Sequence, residues 1–159
     1  SLERVDSVLD KARHPAAARH LSKALGFLHG PDQDLENAAK EAVNAVESVA
    51  ISICDRAPAT LGAAVAELRK AGLVSKEIAR IIESLYVYRN ATPGVGHGST
   101  KVPEVLDRDA RLVADVSAAA IQFLDRLRPE AAGQAGGNLS SVDGAEERAP
   151  SSEVPDQGS

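Results

Sequence analysis

The chain has 159 residues, 18 basic and 23 acidic side chains, and a single cysteine, Cys54. One domain is the expectation, an intrachain disulfide is excluded, and a reducing, cytoplasmic setting fits best. Four aromatic residues in all, Phe27, Phe123, Tyr86 and Tyr88, leave a core of Leu, Ile, Val and Ala and argue against an aromatic platform for single-stranded nucleic acid.

The net charge of -5 is unevenly spread. Six acids and one base fall in residues 130–159, which leaves seventeen of each sign in 1–129. The terminal stretch is rich in Gly, Ser, Pro and Ala and carries almost no large apolar residue. It cannot bury enough surface to offset its ordering entropy, so a disordered acidic tail or linker is expected there. No apolar run approaches a membrane span and no signal-peptide pattern opens the chain, so no membrane partner is expected.

Residues 1–129 read as helices in chain order. Leu2, Val5, Leu9 and Ala12 give a first helical face, ended by His14-Pro15. A second helix starts near Pro15, carries Leu21, Ala24, Leu25 and Leu28, and stops at Gly30-Pro31. The third is the longest, over 33–56. Its positions Leu35, Ala39, Ala42, Val46, Val49 and Ile53 alternate four and three apart, the spacing of a bundle seam. Thr60 caps a fourth helix facing inward with Leu61, Ala64, Val65 and Leu68, and Gly72 closes it. Ser75 caps a fifth, with Ile78, Ile81, Ile82 and Leu85. Pro103 and Asp107 precede a last helix whose face is Leu112, Val113, Val116, Ala120, Phe123, Leu124 and Leu127. No strand alternation or internal repeat appears. The expected fold is an all-α antiparallel helical bundle over 1–129 with the acidic tail at 130–159.

Two polar residues break the helical pattern. Arg89 lies close to the centre of the stripe made by Ile78, Ile82 and Leu85. Either it snorkels to water and caps the last carbonyls of its own helix, or it points into a crevice or subunit interface. Glu47 sits in a second apolar flank of the long helix, among Val43, Ala50 and Cys54. A helix apolar on two flanks is central or shared with a partner. Glu47 is then either a rim carboxylate in water or the partner of a cation, with Arg89 the candidate.

A third residue, His97, stands between Gly96 and Gly98 in a Pro/Gly turn, where backbone or ligand can approach closely. It is either a turn histidine without a task or a site residue. His14, His20 and His29 make no ligand-spaced set with Cys54, so neither a metal site nor a cofactor is expected. The run Gly94-Val95-Gly96-His97-Gly98 lacks the Lys-Ser/Thr ending of a phosphate loop. No Ser-His-acid nucleophile signature is visible either.

The run from Asp34 to Gly98 resembles the abortive-infection C-terminal domain, a branch of the HEPN superfamily. The resemblance rests on Glu41-Ala-Val-Asn-Ala-Val-Glu47-Ser48-Val49, on Ala59-Thr60-Leu61-Gly62, on Leu85-Tyr86, and on Arg89-Asn90 followed by Gly94 and His97-Gly98. It implies a dimerising helical bundle and, in active members, a metal-independent ribonuclease used in defence against phage. Arg89 would then hold the scissile phosphate, His97 would move the proton, Asn90 would orient the phosphate and Glu47 would support them. Homodimerisation, with the long helix and the Arg89–His97 turn at or near the interface, follows from the resemblance and from the two-flanked helix. The Arg-to-His spacing is longer here than in the usual motif, and Gly96 stands where relatives often carry Arg. The second class of function kept open is a non-catalytic HEPN-like dimerisation or binding module, attached to a fused or partner effector protein.

Overall fold

The computed structural model describes residues 1–54, 56–91 and 105–127. Their helical periodicity is realised as six helices: α1 (Leu2–Val8), α2 (Pro15–His29), α3 (Leu35–Ser52), α4 (Leu61–Lys70), α5 (Lys76–Ala91) and α6 (Asp107–Arg126). No strand occurs among the described residues. The all-α class holds. The acidic tail and the turn that carries His97 lie outside the described residues.

α3 is the central element. Ala39, Ala42, Val43, Ala45, Val46, Val49 and Ala50 are fully buried on it. Such small side chains let neighbouring helices pack closely, and α2 and α6 cover most of its surface. Its two apolar flanks are therefore satisfied within one chain. Of the two readings the pattern leaves open, a central helix or one shared with a partner, burial within one chain is that of a central helix.

α2 and α3 run antiparallel, with His14 beside Ser52, His20 beside Glu41 and the Asp34 N–H donating to the Phe27 carbonyl. The bundle is not uniformly antiparallel, however. Asp125 near the end of α6 meets His14 at the start of α2, while Arg111 and Ala114 line one cavity with Leu28 and His29 at its end. α6 therefore runs the same way as α3. Short loops force reversal only between helices adjacent in sequence, and α4 and α5 intervene here.

The caps explain where the helices stop. Asp34 accepts from the Asn37 N–H at 3.0 Å and starts α3 after residue 33. Thr60 accepts from the Ala63 N–H, and Ser75 from the Ile78 N–H, as expected. α1 is shorter than the periodicity predicts. The Asp10 carboxylate accepts from the Ala12 and Arg13 N–H groups, a local turn that competes with helix and leaves Ala12 exposed. α3 also ends short of residue 56, where the Ser52 hydroxyl turns back to the Val49 carbonyl. Ile81 and Leu112, both expected to face inward, are 53% and 63% exposed.

Gly72 closes α4 with φ of 74°, the Leu73 N–H donating to the Leu68 carbonyl and the Gly72 N–H to the Arg69 carbonyl. No atom stands within 4 Å of a Cβ placed there, so alanine meets only backbone strain. Gly72→Ala is expected to lower stability by about 1 kcal/mol. Gly26→Ala, inside α2 with equally open space, is expected to raise it by about 0.5–1 kcal/mol. Urea unfolding of both variants checks the pair, and a stabilised Gly72→Ala protein contradicts the cap.

Candidate functional site

Asn44 and Glu47 are one helical turn apart on α3 and share a face. Arg89 reaches them from the last turn of α5. Its Nη1 donates to Asn44 Oδ1 at 2.6 Å and to Glu47 Oε2 at 2.8 Å. The other carboxylate oxygen of Glu47, Oε1, accepts from the Leu61 N–H at 2.7 Å. That amide belongs to the first turn of α4, where a helix leaves its N–H groups unpaired and favours a negative charge. One carboxylate thus joins three helices. The Arg89 and Glu47 side chains are only 15% and 18% exposed.

Of the two directions open to Arg89, the structure takes the one toward a partner. It does not spend its guanidinium on the carbonyls of its own helix. Tyr86, one turn earlier on α5, lies beneath the guanidinium with its ring centroid 5.0 Å from Cζ. That stacking and the two bonds at Nη1 fix the plane of the group. The Nε and Nη2 N–H groups have no hydrogen-bond partner among the described residues. They form the edge that matches two oxygens of a phosphate or carboxylate.

Of the four residues singled out from sequence, the structure brings Glu47 and Arg89 together. Asn90 follows Arg89 at an exposed position of α5. His97 lies outside the described residues. Asn44 and Tyr86 belong to the sequence runs that carry the resemblance, which implies no role for them. Each stands three residues before a singled-out residue, and that spacing alone places it beside the guanidinium cluster.

The other histidines tie helices together. His14 is 3% exposed, with Nε2 3.0 Å from Asp125 Oδ1 and Nδ1 2.9 Å from Ser52 Oγ. His20 pairs with Glu41 at 2.5 Å and His29 with Glu3 at 2.7 Å. The three imidazoles thus bind α2 and its N-cap to α6, α3 and α1. The Ser52–His14–Asp125 chain, invisible in sequence, is not arranged as a nucleophile. A catalytic triad joins serine to Nε2 and the acid to Nδ1, and here the two are exchanged. The Ser52 hydroxyl also stands 2.8 Å from the Val49 carbonyl, a second acceptor for its proton within its own helix.

Among the described residues no group of three or more His, Cys, Asp or Glu side chains is placed to hold a metal ion. No described helix is long and apolar enough to cross a membrane. A cavity of about 160 Å³, lined by Leu28, His29, Arg111 and Ala114 among others, includes none of Asn44, Glu47, Tyr86 or Arg89. In comparison with known proteins, the chain matches no family model, no curated protein and no solved structure.

Proposed function

We propose that the chain is a HEPN-type, metal-independent endoribonuclease acting in abortive-infection defence against phage, in the cytoplasm and as a homodimer. The observation that carries this is the state of Arg89: a cation held in plane at Nη1 and by Tyr86, with its Nε–Nη2 edge unused among the described residues. A group fixed in this way needs little reorganisation to receive the charge that builds on a phosphate in the transition state.

In this mechanism the ribose 2′-oxygen attacks the adjacent phosphorus and the P–O bond to the 5′-oxygen breaks. His97 takes the 2′-hydroxyl proton and delivers it to the leaving 5′-oxygen. Arg89 binds the phosphoryl oxygens, Asn90 orients them, and Glu47 with Asn44 holds the arginine. The products are a 2′,3′-cyclic phosphate and a 5′-hydroxyl, with no water, metal or cofactor consumed.

A specific observation favours a second function. Glu47 already balances Arg89 and clasps α3, α4 and α5, and residues 1–129 carry no excess of positive charge. Tight general binding to RNA draws on such an excess. A non-catalytic dimerisation or binding module, joined to an effector, would use the same clasp for stability alone. Incubating the purified protein with total RNA, with and without EDTA, separates the two. The nuclease cuts equally in both. A dimer inert on every RNA is the module, and cleavage that EDTA stops contradicts the mechanism.

A further inference from the structure

α6 is apolar on two sides. Ala114, Ser117, Ile121 and Leu124 are buried on one side, where α6 packs on α3. On the other, Leu112, Val116, Ala119, Phe123 and Leu127 recur four, three, four and four residues apart, one row on a helix surface. Leu112 is 63% exposed, Ala119 is exposed, and the other three are only half-buried. Val116, Phe123 and Leu127 pack in part against the core and Leu112 and Ala119 stand open, so the row is only partly covered within the described residues, and its alternating spacing is the pattern of a helix–helix seam.

We infer that this row pairs with the same row of a second copy of the chain, α6 against α6 and antiparallel. It extends the homodimer of the proposed function to a named surface that lies away from the long helix. The row is nearly symmetric about Ala119. Reversed on itself, it sets Leu112 against Leu127 of the second copy and Val116 against Phe123, with the smallest side chain where the helices come closest. Like-for-like apolar pairing under a twofold is what an isologous interface requires.

The charges beside the row agree with the same register. Asp115 and Arg126 lie on one flank of the seam, by 100° per residue. In an antiparallel pair each flank meets the same flank of its partner. The register that aligns the apolar row brings Asp115 to within about 3 Å, measured along the axis, of Arg126 of the second copy. Two such pairs form across the twofold. Within one chain these residues are about 16 Å of helix apart and cannot bond to each other. Asp115 is 64% exposed and its recorded partner is the Ser1 amino group at 3.7 Å, while Arg126 is exposed.

Full-length protein at tens of micromolar, measured by sedimentation velocity, is expected to be dimeric. Asp115→Arg and Arg126→Asp each put like charges across the seam and are expected to weaken the dimer about tenfold or more, with helicity unchanged by circular dichroism. Mixed in equal amounts, the two variants pair opposite charges at both positions and are expected to regain the wild-type dimer. Only contact between copies gives that rescue. A monomeric wild type, a dimer indifferent to both reversals, or a mixture no tighter than its components overturns the assignment. RNA cleavage by a monomeric wild type overturns it while leaving the chemistry of Arg89 and His97 in place, so the two fail separately.

Discussion

Replacing Arg89 by alanine is expected to cost the protein both stability and cleavage. Glu47 keeps its bond from the Leu61 N–H but loses its counter-charge, and Asn44 loses its donor. Hydrogen bonds to charged groups contribute roughly 1.5–3 kcal/mol each, and water reaching the part-exposed carboxylate recovers some of that. A net loss of about 1–3 kcal/mol is expected, below the roughly 3–5 kcal/mol of a fully buried broken pair. Arg89→Ala combined with Glu47→Ala should cost less than the sum of the two, because both remove one interaction, with a coupling of about 1 kcal/mol. Additive losses in urea unfolding contradict the clasp. On RNA, Arg89→Ala should lose about 10²–10³ in rate, the magnitude typical of removing one transition-state donor. Arg89→Lys keeps the charge but not the planar fork, so it should recover part of each effect. In the module, only the stability losses appear.

His97→Ala is expected to have the larger catalytic effect and almost no effect on stability. A positioned histidine contributes typically about 10²–10⁴-fold through proton transfer. Gly96 and Gly98 leave it few neighbours in sequence against which to pack. Single-turnover cleavage should fall by that factor while the thermal midpoint moves by no more than about 2 °C, the shift that about 0.5 kcal/mol gives a chain of this size. Equal cleavage by wild type and His97→Ala refutes the assignment of the base. The opposite profiles of the two variants, stability lost with Arg89 and kept with His97, separate the anchored half of the motif from the half outside the described residues.

The sequence shows the helical class because the apolar spacing from Leu2 to Leu127 is helical throughout. Thr60, Ser75 and Gly72 mark helix ends because capping is local chemistry. Arg89 and Glu47 stand out for a different reason, as polar residues within apolar stripes, and their union follows from the cost of leaving either charge unpaired. What is set between distant segments could not be read. Whether Arg89 turns to its own carbonyls or across to α3 depends on how α5 packs. The partners of His14, His20 and His29 lie on other helices, and no spacing within α2 points to Asp125, Glu41 or Glu3. Periodicity places Ile81 and Leu112 inside, and they are exposed, because it gives the direction of a helix face but not how wide a face its neighbours cover. The doubled apolar flank of α3 is a parallel case: the sequence allowed a partner chain or a central position, and α2 and α6 supply the cover.

The most direct measurement is end-group analysis of one defined RNA incubated in excess EDTA with wild-type and His97→Ala protein purified side by side. Mass spectrometry of the fragments is expected to give 2′,3′-cyclic phosphate and 5′-hydroxyl ends from the wild type and intact RNA from the variant. Fragments ending in 3′-hydroxyl and 5′-phosphate, the same fragments from both proteins, or no cleavage by the wild type contradict a metal-independent ribonuclease built on Arg89 and His97.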